Sequence, residues 1–460
     1  MHSQVVQLKR RSIPIAEAIR AYRSACYDDC LSALYENSST QAQSLRIRAL
    51  TRLGRMQDAL DECPKHLDEH LSSVERGELH LLKVAALLRL GRLEEVEAEL
   101  LEARVAAFSS CSPALEADYE FTEAVLCHSR RDLAGAAAGV DRALSVVSET
   151  PAWLVTDAPY FFSLGLVRAR ACDLRGLVVR AKEGLHAQLH WSRMALHEFD
   201  TDPREDDWVG SWFLSNFALL TVDAGDPGIL EELCQRVATA QWAKGTQLQQ
   251  FNVVRSVGWL RALAGDHLGA FREFRTSSEL APSRAWKLHS ILDRSFLARE
   301  LGQEMFAEEE LNYAIELSDE LDLEASRDFA PPFSALVKLA ELAAARDASK
   351  GRAILDRYRA ARSKCPPILF DGTDRAWQAT ELMAEASVAR AEGREQLAID
   401  LYVNALDAFD KLGSTWRAAL AALELAEMTG QPFFLGYAGR EASRRPQSWL
   451  ARRLATLRPE

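Results

Sequence analysis

The run Gly258-Trp-Leu-Arg-Ala-Leu-Ala-Gly265-Asp-His-Leu-Gly-Ala270-Phe-Arg-Glu-Phe274 decides the fold. Apolar residues precede and follow Gly265 with the period of a helix face. Gly265 sits where a chain leaving a helix turns through the left-handed conformation, which glycine adopts without steric cost. The small residues Gly258 and Ala270 let two helix backbones come close, and Phe274 fills the groove beside them. The stretch reads as helix, tight turn, helix, closing at Pro282.

Working outward, the same punctuation recurs. Short turns stand at Leu53-Gly54-Arg55, Leu90-Gly91-Arg92, Arg130-Arg131-Asp132, Ala224-Gly225-Asp226, Leu301-Gly302-Gln303 and Glu392-Gly393-Arg394. Gly54 to Gly91 and Gly265 to Gly302 both span 37 residues, a period that means stacked helical pairs. Helical periodicity also runs through 45–53, 79–90 and 335–345. Period-two alternation and hairpin dipeptides are missing apart from Asp371-Gly372, in a proline-containing loop. No Gly/Ser linker divides the chain.

The small-and-large pattern around these turns resembles the tetratricopeptide repeat (TPR). Besides Gly258, Gly265, Ala270 and Phe274, it is met by Ser295, Gly302, Ala307, Leu311 and Ala314, and by Ala386, Gly393, Ala398, Tyr402 and Ala405. Ala124, Ala136, Val140 and Ala143 fit around a turn in which Arg131 replaces glycine. Several turn-to-turn spacings exceed the family's 34 residues, and Ile47 and Val84 stand where small residues are usual. Such long, degenerate repeats are similar to the sensor regions of LuxR- and MalT-type bacterial regulators, as in Ala405 to Gly413 followed by Leu423 to Gly430. The P-loop and helix-turn-helix of those regulators are not found here. The resemblance implies an all-α, right-handed α-solenoid of about nine or ten stacked pairs. The expected organisation is one superhelix over 1–460, with weaker repeats at 14–150, Trp-rich repeats at 151–330, and C-terminal repeats with a capping helix at 331–460.

Composition agrees with a repeat array. The 460 residues are 48% hydrophobic, ample for a core, and carry a net charge of −12, opposite to the balance of a nucleic-acid binder. Lys9, Arg10 and Arg11 are followed by no long apolar stretch, so neither a secretory signal nor a membrane span is expected. Eight scattered cysteines without a CxxC pair suit reduced thiols and a cytoplasmic location. No nucleophile elbow, Walker loop, dinucleotide fingerprint or kinase motif is found, so the chain is expected not to be an enzyme and to need no cofactor.

In TPR proteins the first helix of each pair lines a concave groove, with groove residues about three, six, ten and thirteen positions before the turn glycine. The resemblance places Asn252, Arg255 and Trp259 there, with His289, Phe296, Arg299, Met383 and Arg390, and Trp212 before Gly225. Arginines and aromatics suit an extended or acidic peptide. In the alternative, the aromatics are buried between repeats and the arginines pair with neighbouring acids.

Other features have plainer readings. Trp191, Trp208, Trp212, Trp242, Trp259 and Trp286 either line a pocket or fill the core, and core is favoured. His186, His190 and His197 share a helix face, more simply an exposed polar stripe than a zinc site. Cys26 and Cys30 read as packed thiols, and the acidic loop 200–207 as a solvated connection. The C-terminal stretch carries Arg440, Arg444, Arg445, Arg452, Arg453 and Arg458, and after Pro446 Leu450, Leu454 and Leu457 stripe a final helix expected to close the last repeat with a polar outer face. Two functions remain open. One is a scaffold that binds a partner protein or peptide in its groove. The other is a regulatory sensor that takes a small ligand or signal peptide and controls transcription through a partner.

Overall fold

The computed structural model describes residues 15–24, 26–63, 71–150, 164–201, 207–238, 246–321, 323, 331–363 and 374–457, and these are α-helical without strands. The looser segments suggested by the sequence, 150–160, 200–208, 329–333 and 365–374, fall mostly outside them, as do Trp242 and the acidic loop. Among the described residues no helix is long and apolar enough to cross a membrane. The chain forms two compact units. The first is Met1–Val179, His190–Phe213 and Gln241–Gly245, and the second is Arg180–Leu189, Leu214–Ala240 and Thr246–Glu460.

The first unit contains α1 (15–23), α2 (Tyr27–Ala33), α3 (Thr40–Arg52), α4 (Met56–Glu62), α5 (Ser73–Arg89), α6 (Leu93–Ser110), α7 (Pro113–Ser129) and α8 (Leu133–Glu149). Helices α9 (Leu164–Glu183), α10 (Leu185–Asp200) and α11 (Asp207–Ala224) contribute residues to both units. The pairs α3/α4, α5/α6 and α7/α8 are hairpins, and α5 stacks on α7. Helix α5 starts with a capping box in which Ser72 and Glu75 satisfy each other's backbone N–H groups. The turn at Arg131 is as the sequence suggests: the arginine adopts the left-handed conformation, φ +66°, that glycine takes elsewhere. Leu81, Leu87, Leu115, Phe121 and Val140 lie in a continuous core, with buried ion pairs beside it. Arg48 reaches Glu78 at 3.0 Å, and Arg170 reaches Asp118 at 3.0 Å with its guanidinium 4.3 Å from the Phe121 ring.

The second unit contains α12 (Leu230–Ala238), α13 (Gln247–Ala264), α14 (His267–Leu280), α15 (Arg284–Glu300), α16 (Glu304–Asp319), α17 (Pro331–Ala344), α18 (Ala348–Arg362), α19 (Asp374–Ala391), α20 (Glu395–Leu412), α21 (Thr415–Thr429), α22 (Pro432–Arg444) and α23 (Trp449–Leu457). Hairpins α13/α14, α15/α16, α17/α18 and α19/α20 follow the repeat pattern. Its physical basis is visible at Gly258, where an added Cβ would lie 2.6 Å from the Phe274 ring. Only a residue without a side chain admits the phenylalanine there. Ser295, at the same register, is small and also hydrogen-bonds across its hairpin, to the Ala307 carbonyl at 2.9 Å; Ala386 holds that register in the later hairpin, and the adjacent Ser387 shares a 2.9 Å hydrogen bond with the Tyr402 hydroxyl.

The last helices do more than cap. Helix α23 packs on α13, α15 and α21, burying Trp449, Leu450 and Leu454. The Trp416 indole donates to the Val222 carbonyl at 2.8 Å, and Ser414 donates to the Asp223 carbonyl at 2.7 Å. The buried Arg445 guanidinium donates to the Gly225 carbonyl at 2.9 Å and pairs with Glu441 at 2.6 Å. The second unit thus closes on itself, its C-terminal helices held against the end of α11. The expected polar outer face does not include Arg453, which is 14% exposed and turned inward onto Glu300, Glu424 and Glu427, while Trp449, Leu450 and Leu454 gain burial.

Candidate functional site

In the second unit α15 packs on α17 and α17 on α19, so the first helices of successive hairpins form one inner surface. Helices α21 and α23 lie over part of it. Trp259 of α13 meets Trp416 of α21 at 5.4 Å between rings, and Phe296 of α15 meets Trp449 of α23 edge-on at 5.2 Å. Phe296 is 0% exposed. Of the two sequence readings, burial is therefore the one realised for Trp259 and Phe296. They anchor the chain's own C-terminal helices.

What remains open is a cavity of ≈ 260 Å³. Trp259, Trp377, Met383, Trp416 and Leu420 give it apolar walls. Three arginines at its edge are already paired. Arg255 holds Asp293 through two bonds, 2.5 and 3.1 Å, while Arg417 and Arg180 approach Asp223 at 3.1 and 3.8 Å. His289 shares a 3.1 Å hydrogen bond with Ser334. Two charged groups on α17 differ. Lys338 places its ammonium 4.2 Å from the Phe296 ring centre and 5.5 Å from that of Trp259. It has no carboxylate within 4 Å and no hydrogen bond among the described residues. Burial pulls its pKa down, against the pull of Glu341 and Asp293. Glu341, only 8% exposed, likewise has no ion pair or hydrogen bond among the described residues.

Beyond Glu341 lies a second cleft of ≈ 820 Å³, filled with paired charge. Arg453 of α23 reaches Glu424 at 2.6 Å, Glu427 at 2.7 Å and Glu300 at 3.5 Å. Arg390 holds the same Glu424 at 2.6 Å, and Arg299 holds Glu300 at 3.1 Å. Burial alone would raise the Glu424 pKa; Arg453, Arg299 and Arg390 outweigh it and hold the carboxyl low. Arg299 and Arg390, like Arg255, were offered by the sequence to a partner and are here committed to acids of the same chain.

The remaining expected groove residues are dispersed. Asn252 is buried and donates to the Ser215 hydroxyl at 3.2 Å. Trp212, 40% exposed, belongs to the first unit. Arg255, Trp259, His289 and Met383 do reach the cavity. His186, His190 and His197 lie on the exposed face of α10, and no cluster of metal-binding side chains occurs among the described residues. Sequence reasoning missed Lys338, Glu341, Trp416, Trp449 and Arg453. The turn after α17 has no glycine, so the register rule had no origin there. A signal existed: a lysine and a glutamate three apart inside the otherwise apolar run 335–344.

No family model matches the chain, and no curated protein matches it in sequence. Solved structures do. A Rap protein complexed with competence and sporulation factor aligns with a TM-score of 0.53 at 13% identity, covering 84% of this chain and 100% of that one. The apo quorum sensor NprR from B. thuringiensis aligns at 0.45 and 15% identity over 85% and 97% of the two chains. Yeast Tom70 aligns at 0.39 and 13% identity over 98% and 96%. The likeness to the Rap protein is one of fold. Together with the helical hairpins, their left-handed turns and the small-residue contacts between them, it establishes a TPR-like, all-α repeat architecture for this chain.

Proposed function

We propose that this protein is a non-catalytic regulatory receptor of the cytoplasm, whose second unit takes a small ligand or the end of a short peptide and whose partner is another protein. The observation that carries this is the cavity beside Lys338 and Glu341. The inner surface is narrowed by α21 to a volume suited to a compact guest, and two charged side chains within it, Lys338 and Glu341, have no ion pair or hydrogen bond among the described residues. Binding pockets of this kind combine apolar walls with a few polar groups that fix orientation. A folded partner would have to displace α23, which is held by Trp449 and Arg453. The adaptor reading keeps one support, the exposed Trp212 of the first unit.

A thermal-shift screen of metabolites and short peptides on the full chain tests the proposal, because a ligand that binds only the folded state raises its melting temperature. A hit that loses its effect in Lys338→Met is expected. If nothing in the screen shifts melting, while a protein captured from cells is lost with Trp212→Ala, the receptor reading falls and the adaptor reading stands.

A further inference from the structure

We infer that the cavity is built for a zwitterion, a free α-amino acid with an apolar side chain, whose carboxylate meets Lys338 and whose ammonium meets Glu341. The inference rests on the receptor reading and specifies its ligand.

The argument begins with a charge balance. Asp293 is satisfied by Arg255, and Asp223 by Arg417 and Arg180. Among the described residues the groups left without an ion pair are one ammonium, Lys338, and one carboxylate, Glu341, both on α17. A purely anionic guest would answer Lys338 but face the buried, unpaired Glu341. A purely cationic guest would do the reverse. Burying an unpaired charge is costly, and a guest carrying both signs relieves both. Lys338 and Glu341 are three residues apart on one helix, so their Cβ atoms are neighbours about 5–6 Å apart. Two head groups on a single carbon can address them together. Lys338 makes no ion pair with Glu341 among the described residues; its ammonium stands over the Phe296 and Trp259 rings.

Volume and lining point the same way. The cavity, ≈ 260 Å³, accommodates a free amino acid. The same cavity is lined by Met383 and Leu420 and by the rings of Trp377 and Phe409, apolar surface for an apolar side chain.

Isothermal titration calorimetry of the full-length chain tests this, with L-leucine, L-methionine and L-phenylalanine as probes. The controls are leucinamide, which lacks the carboxylate, and N-acetyl-leucine, which lacks the ammonium. The wild type should bind at least one free amino acid, and each blocked control should bind at least roughly tenfold more weakly, the loss of one charge-assisted contact. Two variants sharpen the test: Lys338→Met, which keeps the stem on the aromatic rings, and Glu341→Gln. K338M should no longer distinguish leucine from leucinamide, and E341Q should no longer distinguish leucine from N-acetyl-leucine. Circular dichroism melts of both variants establish that they fold. If no free amino acid binds, or if a blocked control binds the wild type as tightly as leucine, the zwitterion inference is overturned. Should a peptide or another metabolite then bind in a Lys338-dependent way, the receptor reading survives. If no small ligand of any class binds, both fall.

Discussion

Replacing Trp449 by alanine should release the C-terminal helix from the second unit. Trp449 is fully buried between Phe296 and Trp416, with ring centres 5.2 and 6.3 Å away. Truncating a buried tryptophan typically costs ~3–5 kcal/mol, combining lost transfer energy with the cavity left behind. One term works in the other direction. The Trp449 indole N–H is buried without an acceptor among the described residues, and an unsatisfied donor costs ~1–3 kcal/mol that the substitution returns in part. The net loss for Trp449→Ala is about 3 kcal/mol. Trp449→Phe keeps most of the ring contact and removes the orphan donor, so it should cost about 1 kcal/mol or less. Native-state hydrogen exchange of the amides at 450–457, which reads the free energy of opening α23, is the direct assay. A loss of about 3 kcal/mol corresponds to exchange faster by roughly a hundredfold, since each ~1.4 kcal/mol is a factor of ten. Urea unfolding followed by near-ultraviolet circular dichroism gives a second measure. If W449A shifts α23 exchange by less than about 1 kcal/mol, or if W449F costs as much as W449A, then α23 is not held by this ring.

Three further outcomes follow from other contacts. Gly302→Ala should cost about 1–2 kcal/mol for the left-handed backbone alone, φ +72°, because nothing lies within 4 Å of the new Cβ. Gly265→Ala should cost distinctly more in the same urea titration, since its Cβ would stand 2.6 Å from the Gln447 Cβ and 2.7 Å from the Gln447 carbonyl; equal costs would mean that 447 does not rest on this turn. Arg445→Met should lose about 3 kcal/mol of stability, near the lower end for breaking a buried pair because Arg444 and Thr415 still hold Glu441, and Glu441→Leu in the same chain should recover part of the loss. The Glu392 carboxyl is drawn down from 4.5 to about 2 by its hydrogen bond from Arg352. Its contribution is therefore present above pH 4.5 and lost as the pH falls toward 2, so the stability gap between wild type and Glu392→Gln should close across that window and shrink with salt; a gap unchanged at low pH would refute the pairing.

The groove register shows where sequence reasoning succeeds and where it stops. Counting back from Gly265 and Gly302 finds Arg255, Trp259 and His289, and these do reach one cavity. The count works because helix period and turn position together fix which side chains share a face. It gives no information on what lies opposite that face. Arg299 and Arg390 look like ligands when their own helices are considered alone. Across the cleft stand Glu424 and Glu427 of α21 and Arg453 of α23, far away in sequence. Lys338 and Glu341 are unusual only because every other charge around the cavity has found a partner, and that balance exists only once α9, α11, α13, α15 and α21 are assembled.

The sequence by itself determined the helical hairpins and their stacking. Those depend on interactions within about 40 residues: a left-handed turn at glycine, a small residue facing a large one, and an apolar stripe with the period of a helix. The tertiary structure alone decided that the second unit closes on itself, that Trp259 and Phe296 are covered by Trp416 and Trp449, and that a small cavity is left with two charges that have no ion pair among the described residues. A repeat pattern encodes how each pair meets its neighbour. Closure joins Trp416 to Val222 and Arg445 to Gly225, and contacts between residues that far apart in the chain leave no period in the sequence to read.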